Sequence, residues 1–360
     1  MKEYHLAVIP GDGIGKEVMP EGTKTLAAVA EISGNFSFHF EHFPWGCDYY
    51  LKTERMMPVD GLKILQQFDA IYFGAVGYPS VPDPVSLRGL RLNICQSFDQ
   101  YVNLRPAHLL PGVKSPLRDK TPDDIDFIVV RENTEGEYTG AGGCSHRGLT
   151  NEVAVQTAVF TRSGVERILR HAFELARGRR KKLASVSKSN AQEYIFGLWD
   201  EITTEVSADY PDVSVERVLV DAMAARMVLK PETLDVVVAS NLHADILTDL
   251  AGAICGSLGL APSGNINPER TYPSMFEPIH GSAPDIYGKC IANPIATIWS
   301  GAMLLEHLGE PRAADLIVAA IQAATAAGVL TPDLGGKSTT FQVGEAIVHN
   351  LRRMEEQPPA

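Results

Sequence analysis

Two carboxylates stand one helical turn apart in the segment Asn241-Leu242-His243-Ala244-Asp245-Ile246-Leu247-Thr248-Asp249-Leu250, which follows an apolar, strand-like run. A four-residue spacing puts Asp245 and Asp249 on one helical face, where their oxygens can grip one cation. Carboxylate oxygens are hard ligands, so the matching ions are Mg²⁺ or Mn²⁺; zinc would draw histidine and cysteine. Taken alone, two acids so spaced more often form a solvated face, and His243 reads as a hydrogen-bonded residue at the helix start.

Arg105 in Asn103-Leu104-Arg105-Pro106 and Arg131 in Val129-Val130-Arg131-Glu132-Asn133 end apolar, strand-like runs. Strand ends face clefts in α/β folds, and a guanidinium fork grips a carboxylate bidentately. Either arginine alone reads more readily as half of a surface ion pair. Lys188, closing Ala184-Ser185-Val186-Ser187-Lys188, can serve as a base if a nearby cation or burial depresses its pKa. Tyr138, in Thr134-Glu135-Gly136-Glu137-Tyr138, can serve as an acid.

The elements that must position these groups alternate. Strand patterns at 4–9, 36–43, 69–74, 127–130, 183–186, 215–220 and 236–239 are mostly followed by helical periodicity, beginning with a helix over 15–30, so the chain is α/β. From 295 to 351 it turns Ala- and Leu-rich and helical, broken near Gly309-Glu310-Pro311 and Thr331-Pro332. Gly11-Asp12-Gly13-Ile14-Gly15 joins the first strand to the first helix, where backbone amides can meet an anion. It is not the dinucleotide fingerprint, whose third glycine would fall at Lys16.

At 360 residues the chain exceeds the size at which one core stops growing, which predicts two lobes and a cleft. Its composition is that of a folded protein, with only 355–360 resembling a disordered tail. No apolar run approaches the roughly 18 residues needed to span a bilayer, and the first apolar stretch breaks at Pro10-Gly11-Asp12. Five scattered cysteines without a Cys-x-x-Cys pair suit a reducing compartment and argue against structural zinc, so a cytoplasmic, non-membrane protein is expected. A net charge of −12 repels nucleic acid, and the basic run Arg177 to Lys182 reads as a solvated helix C-terminus.

Taken in order, these pieces resemble the β-decarboxylating dehydrogenase family, which contains isocitrate, 3-isopropylmalate, and tartrate or D-malate dehydrogenases. The likeness runs from Ile9 to about Thr340 and adds Asp221 and the segment Glu277-Pro278-Ile279-His280-Gly281-Ser282-Ala283-Pro284-Asp285-Ile286. The resemblance implies the two-domain isopropylmalate dehydrogenase-like fold, with a discontinuous large cofactor domain (1–98 plus 255–360) and an active-site cleft beside a small domain (99–254). It also implies a homodimer, with residues 138–161 as an interlocking arm. Asp221 of one subunit would complete the metal site of Asp245 and Asp249 in the other, as Lys188 would complete its substrate site.

The same resemblance implies NAD bound by Glu277, His280, Gly281, Ser282, Ala283, Asp285, Ile286 and Asn293. Asp285 can accept ribose hydroxyls and would repel a 2′-phosphate. Mn²⁺ or Mg²⁺ is implied, with a monovalent cation such as K⁺ as a further candidate. In the implied scheme Lys188 takes the proton of a metal-acidified 2-hydroxyl as hydride leaves for NAD, and Tyr138 returns a proton to carbon where CO₂ is lost.

Where most relatives have an arginine ten residues before Arg105, this chain has Cys95, with Arg91 one turn earlier; both are candidate substrate residues beside Arg105 and Arg131. Arg88, Arg91 and Asn93 make this helix polar where isopropylmalate enzymes place leucines. A small 2-hydroxy diacid therefore fits better than an alkylated one, and residues 81–87 and 98–106 look like the tartrate and D-malate branch. Rivals are a 3-isopropylmalate dehydrogenase and a non-catalytic regulatory subunit.

Overall fold

In the first strand, β1 (Lys2–Gly11), Leu6 and Val8 enter one apolar cluster while the intervening Ala7 and Ile9 enter another. All four are fully buried, so the strand must be covered on both faces. In chain order the other strands are β2 (Phe36–His42), β3 (Ala70–Ala75), β4 (Val102–His108), β5 (Asp126–Glu132), β6 (Gly142–Ser145), β7 (Val153–Gln156), β8 (Lys182–Ser187), β9 (Ser214–Leu219), β10 (Val236–Ala239), β11 (Pro262–Ile266) and β12 (Ser274–Pro278). The computed structural model describes residues 2–356. Of the tail expected at 355–360, the first two residues close the helix Thr340–Glu356, and 357–360 lie outside the described residues.

One unit comprises the residues up to Gln100, His108–Ile125 and everything from Gly252 onward. Its strands lie in the order β2-β1-β3-β12-β11, parallel except for the antiparallel β11–β12 pair. Helices Gly15–Ser33, Ile295–Leu308, Pro311–Ala326 and Thr340–Glu356 bring Leu26, Ile298, Ile317 and Ile347 onto the Leu6/Val8 face. On the opposite face Ala7, Ile9 and Phe73 meet Trp45, Leu90 and Phe98. Residues 108–125 belong to this unit, not to the small domain that the expected boundaries assigned them to, because Leu110 is part of its core.

The second unit comprises Tyr101–Ala107 and Asp126–Ala251, with strand order β4-β5-β10-β8-β9. β10 runs parallel to β5 and β8, and its Val-Val-Val-Ala is buried throughout, as a central parallel strand requires. The helix Arg162–Arg177 is capped by Thr161, whose side chain accepts from the Gly164 amide at 3.0 Å. The basic run after that helix is not simply solvated. Arg177, Arg179, Arg180 and Lys181 pair with Asp126, Asp212 and Asp235, which offset part of its charge.

Within the 138–161 stretch, β6 and β7 pair as an antiparallel hairpin whose residues are all exposed, Val153 and Val155 included. None of the described helices is long and apolar enough to cross a membrane.

Candidate active site

Four of the second unit's candidate residues, Arg105, Arg131, Tyr138 and Asp249, gather around the carboxylate of a fifth, Asp245. The Val-rich β10 ends at Ala239, and after Ser240 the helix Asn241–Ile254 starts, burying Ala244, Leu247 and Ala251 at helical spacing. That choice of inner face turns Asp245 and Asp249 to the other side. Arg131, at the end of β5 and 2% exposed, forms an ion pair with Asp245 and donates to Asn241 Oδ1 from Nε (3.0 Å) and Nη2 (2.7 Å). Tyr138 follows a left-handed Gly136 (φ +75°), and its hydroxyl donates to Asp245 Oδ2 at 2.9 Å. Its ring lies 5.4 Å from the Arg131 guanidinium.

Arg105 on β4 donates to Asn103 Oδ1 (2.7 Å) and Thr248 Oγ1 (2.6 Å), and its Nη1 stands 3.5 Å from Asp245. Asp249, a turn further along the helix, is pushed above the usual carboxylate range by burial and by the neighbouring Asp245, with Arg105 and Arg131 opposing. A carboxylate whose proton affinity is raised by a second one a turn away suits a divalent cation, so this pair fits the metal the sequence suggests.

Lys188, just past β8, donates to Asp221 Oδ1 at 2.6 Å, and that contact holds Asp221 below the usual carboxylate range. Burial and the charge of Lys188 lower His243, whose ring stacks on Phe196 at 4.8 Å. His243 is therefore a packed imidazole at the helix start, but its Nδ1 is buried without a hydrogen-bond partner, which departs from its reading as a hydrogen-bonded residue. Among the described residues no three His, Cys, Asp or Glu side chains converge, so one chain presents Asp221 apart from the Asp245/Asp249 pair.

In the first unit the glycine loop and the proposed cofactor loop are built against one another. Gly13 has φ +51°, and a Cβ there would stand 2.0 Å from the Ser282 carbonyl oxygen, which accepts from the Ile14 amide at 2.8 Å. Only glycine permits that approach. Beside it Ile14, Val18 and Ala292 form an apolar patch with Ala283 and Ile286, of a kind that seats a flat heterocycle. Burial lowers His280, and its Nε2 is a buried atom without a hydrogen-bond partner. Asp285 is exposed, Gly281 borders open space, and Ala283 takes an unusual φ of +40°. An unpartnered ring nitrogen, left as an acceptor because Nδ1 faces the Gly281 carbonyl at 3.0 Å, an apolar seat and an exposed acid suit a dinucleotide. Asn293 is already engaged, through Asp333 (3.1 Å) and the Ile295 amide (3.1 Å).

Two candidate substrate residues lie in the first unit. Cys95 is fully buried, within the apolar cluster of Ile9, Phe73, Leu90 and Phe98. Arg91 is committed within its own unit: Nε donates to Glu277 Oε1 at 2.7 Å. Three participants went unnoticed in the sequence. Asn241 holds Arg131, Thr248 holds Arg105, and Asn265, which holds Glu277, lies in a strand too poor in branched residues to stand out.

The isocitrate/isopropylmalate dehydrogenase family model matches residues 5–347. The chain belongs to that family. This dehydrogenase is 59% identical over 352 residues to a probable tartrate dehydrogenase/decarboxylase of Agrobacterium vitis, covering 98% of both chains. It is 55% identical over 361 residues to the D-malate dehydrogenase [decarboxylating] of Escherichia coli (strain K12), covering 98% of this chain and all of that one. The crystal structure of isocitrate dehydrogenase from Methylococcus capsulatus superposes with a TM-score of 0.86 at 36% identity, covering 97% of this chain and 99% of that one. The α/β fold is therefore that of isocitrate dehydrogenase.

Proposed function

We propose that this dehydrogenase oxidises the 2-hydroxyl of a small diacid of the tartrate or D-malate type, using NAD and Mn²⁺ or Mg²⁺, and decarboxylates some of its substrates. The observation that carries the reading is the convergence of Arg105, Arg131 and Tyr138 on Asp245, with Asp249 one turn away. The names of its relatives point to the same substrates.

Arg105 and Arg131 supply fixed forks for substrate carboxylates, their free rotation already removed by Asn103, Thr248 and Asn241. A divalent ion on the acids would acidify the bound 2-hydroxyl and polarise the carbonyl that replaces it. Lys188 is the base for that hydroxyl proton. Tyr138 holds a proton on its hydroxyl, beside Asp245, for return to carbon after CO₂ leaves. In the first unit His280 Nε2 and the Ile14 patch bind the dinucleotide, and Asp285 accepts ribose hydroxyls and repels a 2′-phosphate.

The working form is a homodimer whose partner brings Lys188 and Asp221 to the two acids. In support, Asp221 stands apart from Asp245 and Asp249 in one chain, and the hairpin β6–β7 presents Val153 and Val155 to solvent, surface that a second copy would cover.

The test is NADH formation, followed by absorbance, with purified protein, Mn²⁺ and each of tartrate, D-malate and 3-isopropylmalate. Turnover of the first two is expected; turnover of isopropylmalate alone would favour the isopropylmalate reading, and no turnover of any would favour a regulatory subunit. Mixing Lys188→Ala with Asp245→Ala subunits should restore activity if sites are shared.

A further inference from the structure

We infer that Arg91 is a positioning residue for the cofactor loop, acting through Glu277, and that it is not a ligand of the hydroxy acid. The inference rests on the NAD-dependent reading above and concerns how its cofactor half is held. Residues 87–91 form a π-helical turn leading into the helix Leu92–Ser97. Such turns are rare and recur where function requires a side chain to be re-aimed, because the extra residue re-phases the helix. Here Leu90, Leu92, Ile94 and Cys95 are buried while Arg91 is directed at β11 and β12.

Arg91 Nε donates to Glu277 Oε1 at 2.7 Å, with the two side chains only 11% and 5% exposed. Asn265, wholly buried on β11, donates from Nδ2 to the same oxygen at 2.7 Å, and its Oδ1 faces Arg91 Nη2 at 3.4 Å. Each of the three thus touches the other two. Glu277 is the penultimate residue of β12, one residue before the loop that bends through His280, Ser282 and Ala283 toward Ile286. A carboxylate buried this deeply keeps its charge and direction only while a cation answers it. Arg91 is that cation. Its removal takes away the Nε donor at 2.7 Å, and the carboxylate, still held by Asn265, is then free to turn, disturbing the start of the loop.

The experiment measures the NAD dissociation constant of the full chain without hydroxy acid, by quenching of intrinsic tryptophan fluorescence, for the parent, Arg91→Gln, Arg91→Lys, Glu277→Gln and the Arg91→Gln/Glu277→Gln double variant. Arg91→Gln and Glu277→Gln are each expected to weaken NAD about tenfold, with the double variant no weaker than either. Steady-state KM for NAD should rise with KM for D-malate nearly unchanged. Unaltered NAD affinity in Arg91→Gln with a raised D-malate KM would overturn the proposal and make Arg91 a substrate ligand; additive losses in the double variant would overturn it too. If Arg91→Gln does not fold, Arg91→Lys carries the test: lacking Nε in its place it should weaken NAD severalfold, and unchanged affinity overturns the inference. Failure of the parent chain to bind NAD would instead overturn the underlying functional reading.

Discussion

The Tyr138 hydroxyl donates to Asp245 Oδ2 at 2.9 Å, on the same carboxylate that Arg131 holds by an ion pair. The candidate acid and a candidate metal ligand are thus one hydrogen bond apart, and Arg131, fixed by Asn241, sets the direction of both.

If Tyr138 returns a proton to carbon after CO₂ loss, Tyr138→Phe should spare hydride transfer and slow the later step. Rapid mixing with D-malate and NAD is expected to give a near-normal NADH burst, followed by steady turnover reduced about a hundredfold. Steady turnover equal to the parent's would remove Tyr138 from the mechanism.

Gly13 sits under the Ser282 carbonyl with no room for a side chain. Gly13→Ala forces a left-handed alanine, costing about 1–2 kcal/mol by itself, and drives a methyl into that carbonyl. Lower urea resistance together with at least tenfold weaker NAD binding is the expected pair of results. Loss of stability with intact NAD affinity would separate this loop from the cofactor site.

His307 packs 5.5 Å from the Phe276 ring, and Arg270 donates to its carbonyl oxygen. Burial, with the charge of Arg270, holds its imidazole down to about 4. An unfolded chain takes up that proton near pH 6.5, so between about 6.5 and 4 acid favours unfolding; the contribution is whole above pH 6.5 and lost as pH falls toward 4. His307→Gln should therefore narrow the loss of unfolding free energy between pH 7 and pH 4 by about 2 kcal/mol, after allowance for solvent at the ring's edge. Parallel pH curves for the two proteins would contradict this.

The sequence revealed what local periodicity carries. The 3.6-residue repeat alone put Asp245 and Asp249 on one face, and the expected strands at 127–130, 183–186 and 236–239 all fall within β5, β8 and β10. Partnerships across the chain left no such trace. Arg91 and Glu277 lie 186 positions apart, and nothing in either neighbourhood announces the other. For Cys95 only its position in the chain is visible; the π-helical turn before it, which decides the side chains' direction, follows no simple repeat. β11 and β12 escaped notice because Pro262, Gly264 and Pro278 interrupt any strand pattern.

The central claim is that the Asp245/Asp249 face makes oxidation of a hydroxy diacid depend on a divalent ion. Its most direct test is NADH formation from D-malate by three samples: the parent with Mn²⁺, the parent after exhaustive chelation, and Asp249→Ala with Mn²⁺. Turnover only in the first, with Asp249→Ala melting close to the parent, is the predicted result. Equal turnover in all three would contradict the account.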